Sequence, residues 1–228
     1  MTSERRQNES SRRLFLVGAL TACCVVLPAL ADSSLDAGGL TFRDFGVADH
    51  GASFNRIDST FGVNGANPAP SRVIAIDNDN GLARVRFETI RVEVSLPLGW
   101  QATEDWERGV GYSSDKRYRV LVWRVDFSFE GVQDAEHYAA TKTGTIKARR
   151  PAIQAQARKL SDGTFLIVYE NAPASQGDSE RRVVFDLVMS KPGNPKEGIL
   201  MTLGLPASEA PRGLKFLALL KSKIRIDW

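Results

Sequence analysis

Cysteine and histidine are scarce in this chain of 228 residues, which contains two of each. The two cysteines, Cys23 and Cys24, stand side by side in an apolar stretch near the N-terminus. If that stretch is cleaved off, the remaining chain has no cysteine nucleophile, no disulfide and no thiolate ligand for zinc or an iron–sulfur cluster. With so few metal-binding side chains left, we expect no metal site and no cofactor.

The N-terminal segment has the three parts of a secretory signal. Arginines precede an almost wholly apolar run at residues 14–30, and the small residues Ala29 and Ala31 occupy the positions that a signal peptidase recognises. The residues that resemble a twin-arginine export motif are Arg12, Arg13, Phe15 and Leu16. We predict cleavage after Ala31 and a periplasmic protein, exported by the twin-arginine route or by the general secretory (Sec) route.

Two other fates of this segment stay open. Residues 20–23, Leu-Thr-Ala-Cys, resemble a bacterial lipobox, and lipidation of Cys23 would give a membrane-anchored lipoprotein, although apolar residues follow that cysteine. The apolar run of about 17 residues is also at the lower limit for crossing a bilayer, so an uncleaved anchor is the other alternative.

The charge balance argues against a nucleic-acid partner. Cleavage after Ala31 removes four Arg and two Glu from 30 basic and 27 acidic residues, and leaves 197 residues with a net charge of about +1. Binding of nucleic acid needs a concentrated basic face. The expected partner is therefore another envelope protein or a small ligand, with the membrane contacted only through the signal peptide.

The histidines give little support to catalysis. His50 lies close to Asp49 and Ser53 in the segment VADHGASF, but three residues within five positions of one loop rarely reach the geometry of a catalytic triad. His137 has Glu136 as its only acidic neighbour within two positions. We predict a non-enzymatic protein without catalytic residues, and the alternative is an envelope hydrolase that uses the loop around His50.

Alternating apolar residues predict antiparallel strands. The Asn80-Gly81 turn joins strands at residues 72–76 and 82–87, and Ile90–Leu96 places every second residue on an apolar face. Further strands are predicted at residues 40–45, 118–129, 157–160, 164–169, 182–190 and 198–205. We assign residues 1–31 to the signal peptide, 32–70 to an irregular lead-in, and 71–228 to a single domain.

Two helices complete the pattern. Asp134 can cap a helix that runs to Arg150, and leucines at spacings of three and four predict a basic, amphipathic helix near the C-terminus. Helices that are segregated from the strands of an antiparallel sheet predict the α+β class, with helices flanking the sheet.

This order of elements resembles the Mog1/PsbP-like superfamily, which includes the bacterial DcrB-like proteins. The resemblance covers residues 90–228 and rests on Pro97-Leu98-Gly99-Trp100 after a strand, on the helix at Asp134–Ala148, and on a final helix with the sequence LLKSKIRI, residues 219–226. It implies an antiparallel sheet sandwiched between helices and a binding, adaptor or assembly-assisting role. It transfers no catalytic residue.

Tryptophan supplies the candidate binding residues. Trp106 lies in the polar segment TEDWERG, and Trp100 follows the Pro-Leu-Gly turn at a strand end. Aromatic side chains on loops are common in recognition sites, so Trp100 and Trp106 are predicted to bind a partner, although either ring could instead fold onto the sheet.

Overall fold

The computed structural model describes residues 34–46, 72–175 and 179–228, which form two antiparallel sheets and two α-helices. The strands are β1 (Arg72–Asp77), β2 (Leu82–Phe87), β3 (Val92–Pro97), β4 (Gln101–Glu104), β5 (Arg108–Tyr112), β6 (Arg119–Asp126), β7 (Gln154–Lys159), β8 (Phe165–Ala172), β9 (Arg182–Lys191), β10 (Asn194–Pro206) and β11 (Arg225–Ile226). The helices are α1 (Ala135–Arg149) and α2 (Ala210–Lys223).

The molecule is built in layers around a seven-stranded sheet. This large sheet has the strand order β4-β5-β6-β10-β9-β8-β7, and a small sheet has the order β1-β2-β3-β11. Helix α1 packs on one face of the large sheet, over β7 to β10, while α2 and the small sheet pack on the other face. The predicted α+β class, an antiparallel sheet flanked by helices, is confirmed.

Both helices form where the sequence predicts them. The Asp134 carboxylate accepts the His137 backbone N–H at 2.8 Å, which caps the first turn of α1, and Pro151 follows its last turn. In α2, the large residues Phe216, Leu217 and Leu220 are fully buried. The apolar stripe of α2 therefore forms part of the main core.

Glycines in β5 let the two sheets approach closely. A Cβ atom on Gly109 would lie 2.3 Å from the Phe87 ring, and one on Gly111 would lie 2.7 Å from a Leu96 methyl carbon. Real side chains do not approach this closely, so only glycine fits at these two positions of β5. The large and small sheets consequently pack face to face with Phe87 and Leu96 against the backbone of β5.

Three local predictions are corrected by the structure. The segment at residues 40–45, predicted as a strand, contains a 3-10 helix at Phe42–Phe45, whose two phenylalanines are buried in the core. The predicted strand at residues 118–129 ends at Asp126, because a hydrogen-bonded turn follows. Residues 224–226, predicted as the end of the C-terminal helix, lie beyond α2, and Arg225–Ile226 form strand β11 instead. The hairpin of β4 and β5 was not predicted.

Among the described residues, neither helix has the length and the continuous apolar character needed to cross a bilayer.

A pair of glycine substitutions tests the sheet contact. We expect Gly109→Ala to lower the free energy of unfolding by about 1–3 kcal/mol, because the added methyl group collides with the Phe87 ring. Gly144 lies in the exposed middle of α1, and no atom lies near its Cβ position. Because alanine favours a helix more than glycine does, Gly144→Ala should raise the free energy of unfolding by up to about 1 kcal/mol. Urea denaturation measures both, and equal effects of the two changes would contradict the close approach.

Candidate binding surface

The turn between β4 and β5 presents Trp106 to solvent. The Trp106 side chain is 65% exposed. Asp105 fixes the turn, because its carboxylate accepts the backbone N–H groups of Glu107 and Arg108 and also pairs with the Arg108 guanidinium, each at 2.9 Å. The exposed indole is therefore held on a turn of defined conformation.

A second turn presents Phe129, which is 91% exposed. The Asp126 carboxylate accepts the backbone N–H groups of Ser128 and Phe129 at 2.9 and 3.2 Å, and the Val132 N–H returns to the Phe127 carbonyl. The sequence alternation predicts Phe129 on the buried face of a strand, but the turn at Asp126 rotates it into solvent. Phe127, two residues earlier, remains fully buried.

Trp228 is the third aromatic side chain at this end of the molecule. It is 37% exposed, and the guanidinium of Arg124 lies 5.8 Å from its ring centroid. The neighbouring residue Asp227 pairs with Arg86 at 2.6 Å and donates its backbone N–H to the Arg91 carbonyl. These contacts fix the last residues of the chain against β2 and the turn before β3.

The strand register places Trp106 and Phe129 at the same end of the large sheet, and the contact with Arg124 of β6 places Trp228 near them. Arg108 of β5 pairs with Trp123 of β6, so the turn carrying Trp106 lies level with the C-terminal end of β6, where the Phe129 turn begins. We call Trp106, Phe129 and Trp228 the aromatic end. They are three of the four exposed large hydrophobic side chains in the part of the chain that the structure describes; the fourth is Ile76 on the edge strand β1.

Trp100 lies in the core, at the opposite end of β4 from Trp106. Its side chain is 1% exposed, its indole N–H donates to the Phe45 carbonyl at 2.8 Å, and its ring packs against Tyr118 and Phe216. The two tryptophans that sequence analysis groups as binding candidates are thus separated by a strand, and only Trp106 is accessible to a partner.

A buried carboxylate lies at the end of β4, next to the turn that carries Trp106. Glu104, 1% exposed, accepts the backbone N–H groups of Glu88, Thr89 and Ile90 at 2.9, 2.7 and 3.4 Å. Burial raises the pKa of Glu104 above its ordinary value, and the three N–H donors oppose that rise. Glu104 thereby ties β4 to the turn before β3, and no feature of the sequence singled it out.

A second buried polar cluster lies under α1, and sequence analysis missed it too. The Asp186 carboxylate pairs with the Lys142 ammonium at 2.9 Å and accepts a hydrogen bond from the Thr202 hydroxyl. Burial lowers the pKa of Lys142, but Asp186 and Tyr138 together, through charge and hydrogen bonding, outweigh this effect and hold that pKa above its ordinary value. One acid inside the apolar run VVFDLVM is the signal that could have revealed the cluster.

Two tyrosines complete the cluster under α1. The Tyr169 hydroxyl is buried beside Asp186 and makes no hydrogen bond of ordinary geometry with any described residue. Burial raises the pKa of both Tyr169 and Tyr138. The cluster thus consists of one ion pair and two neutral phenols, an arrangement that anchors α1 to the sheet.

The remaining candidate residues are dispersed or lie elsewhere. His137 is exposed on α1. His50 and Cys23 lie outside the described residues. The residues predicted for export and cleavage, which are Arg12, Arg13, Phe15, Leu16, Ala29 and Ala31, also lie outside them. Within residues 34–46, 72–175 and 179–228, no group of three or more His, Cys, Asp or Glu side chains is placed to hold a metal ion.

Comparison with known proteins gives likenesses of fold. No protein-family model and no curated protein matches the chain. Solved structures do match, among them PsbP (CyanoP) of Synechocystis sp. PCC 6803 and the Ran-binding protein Mog1p of Saccharomyces cerevisiae. The match to PsbP is 13% identical and covers 68% of this chain and 95% of the PsbP chain. The match to Mog1p is 11% identical and covers 64% of this chain and 95% of the Mog1p chain.

The TM-score is 0.42 for both structures. Both structures carry names of the superfamily that the sequence resembles. At this level of identity the likeness assigns no role to any residue of this chain.

A double-mutant cycle tests the ion pair under α1. We expect Lys142→Met to lower the free energy of unfolding by about 3–5 kcal/mol, because the Asp186 carboxylate, 3% exposed, is left without its cation. In the double variant with Lys142→Met and Asp186→Asn, the free energy of unfolding should fall by less than the sum of the two single losses, by about 1–3 kcal/mol. Additive losses in urea denaturation would show that the two side chains are not coupled.

Proposed function

We propose that this chain is an exported, non-catalytic binding or assembly protein of the bacterial periplasm, and that it contacts a partner protein through the aromatic end. The observation that carries the proposal is the exposure of Trp106 and Phe129 on neighbouring turns. Aromatic rings that remain in solvent on ordered turns are typical hot spots of protein interfaces.

The geometry of the aromatic end favours a protein partner over a small ligand. Small ligands bind in concave sites that bury most of their surface. Trp106 and Phe129 instead project from turns, with most of each side chain exposed. Arg124 beside Trp228 adds the residue type that, with tryptophan, is most enriched among interface hot spots.

Export rests on the sequence of the first 31 residues. The basic segment, the apolar run and the small residues before Asp32 are the parts of a cleavable signal, and the paired arginines favour the twin-arginine route. The sequence also resembles the bacterial DcrB-like proteins, and that resemblance supports a periplasmic role.

Binding through the aromatic end is tested by photo-crosslinking in cells. A photoreactive amino acid in place of Trp106 or Phe129 should crosslink to one partner protein, and the same amino acid at Ile76, which is 48% exposed on β1, should not. The affinity of that partner should then fall by about 30-fold in Trp106→Ala, the loss expected for one interface hot spot.

The circular dichroism melt of Trp106→Ala should match that of the wild type, because the ring is exposed. Crosslinking of similar strength at Ile76, or none at Trp106 and Phe129, would rule out the aromatic end as the binding surface.

Export is tested separately, by the mass and location of the protein made in its own cells. The periplasmic fraction should contain a chain with the mass of residues 32–228, and Arg12→Lys combined with Arg13→Lys should leave the precursor in the cytoplasm. Cys23→Ser should change nothing. If Cys23→Ser released the protein from the membrane, the lipoprotein alternative would replace this proposal.

A further inference from the structure

The large sheet is covered unevenly on the face that α1 occupies. Helix α1 packs over β7 to β10 and reaches the C-terminal half of β6, where Trp123 packs against the cluster under α1. Neither described helix packs extensively against β4 or β5 on that side. The register shows which side chains point there, because Val110 pairs with Leu121, Arg108 with Trp123, and Tyr112 with Arg119. Val110, Tyr112, Leu121 and Trp123 form what we call the open face.

The open face is apolar at its centre and separate from the main core. Val110 is 8% exposed, and Tyr112, Leu121 and Trp123 are half-buried. Val110 and Leu121 belong to neither of the two core clusters, whereas Val120 and Val122, on the opposite side of β6, lie in the main core. The centre of the open face, Val110 and Leu121, thus lies outside both core clusters of the described residues.

Cations border the open face on three sides. Arg108 lies at the Trp123 end, Arg119 at the Tyr112 end, and the Lys142 ammonium is 6.0 Å from the Trp123 ring centroid. Asp105 and Asp186 neutralise Arg108 and Lys142. Arg119 is exposed and makes no ion pair with any described residue, so the border has a surplus of positive charge.

The size of the open face matches one helix. Three neighbouring strands span about 10 Å between the outer two, which is the diameter of an α-helix with its side chains. A helix there would lie beside α1 in the same layer and would complete the cover of the seven-stranded sheet.

We propose that the open face binds an amphipathic helix of a partner protein, with apolar residues against Val110, Leu121 and Trp123 and acidic residues toward the cationic border. This inference rests on the proposed function in one respect, that the partner is a protein. A second copy of the chain fits less well, because α2, its most amphipathic described helix, carries Arg212, Lys215, Lys221 and Lys223 and no acidic residue.

The first test places a photoreactive amino acid at Leu121 or Tyr112 in the full chain, in cells. We expect crosslinks to one segment of a partner, and mass spectrometry of the crosslinked peptide should show apolar residues at helical spacing flanked by Asp or Glu. Ile76 is again the control position. Crosslinks to a second copy of this chain, to a segment without that pattern, or to nothing would overturn the inference.

Charge reversal at the border is the second test. Arg119→Glu should weaken crosslinking at Leu121 at least fivefold, and Arg119→Lys, which keeps the charge, should retain most of it. Since Arg119 is exposed, both variants should melt like the wild type. Equal crosslinking in the two variants would overturn the acidic character of the partner helix.

The aromatic end serves to separate the two proposals. Crosslinking at Trp106 and Phe129 without any at Leu121 and Tyr112 would overturn the helix on the open face and leave the proposed function intact. Crosslinking at neither set would contradict both.

Discussion

The close approach of the two sheets at Gly109 and Gly111 is the constraint on which the rest of the molecule depends. With no side chain on β5 at these positions, Phe87 and Leu96 pack directly against its backbone. This contact brings β4 near enough for the Glu104 carboxylate to accept three backbone N–H groups from the turn before β3. The turns at this end of the molecule are thereby fixed relative to one another.

The asymmetry of the large sheet follows from the same arrangement. The small sheet and α2 together cover one face, whereas α1 alone covers the other. Lys142 holds α1 at Asp186, within the apolar surface of β9, and its ammonium also lies near Trp123. Breaking this ion pair leaves a buried charge without its partner, so the position of α1 over β7 to β10 is energetically well defined. That position leaves β4, β5 and the N-terminal half of β6 without a helix over them.

Sequence patterns predicted those elements whose signals are local. The alternation in β3, the Asn-Gly turn between β1 and β2, and the Asp134 cap of α1 each depend on neighbours in the chain, and each is found in the structure. The hairpin of β4 and β5 was missed because the glycines that β5 needs for its sheet contact weaken the strand pattern.

The site was less predictable than the fold, because its residues depend on distant partners. Trp100 follows a Pro-Leu-Gly turn and Trp106 lies in a polar segment, and both were predicted to bind a partner. Trp100 is nevertheless buried, and its indole N–H donates to the Phe45 carbonyl, 55 positions away. Phe129 continues an apolar alternation and is exposed because Asp126 closes a turn. No local pattern distinguishes these outcomes.

The aromatic end combines exposure with order, and this combination carries its functional meaning. Leaving large aromatic rings in water forgoes the stabilisation that their burial would give, on the order of 2 kcal/mol or more for each ring. The Asp105 and Asp126 carboxylates hold the turns through backbone N–H groups, so the fold does not depend on the rings themselves. A partner that buries Trp106 and Phe129 recovers the missing stabilisation and orders little backbone in doing so, because the turns are already formed.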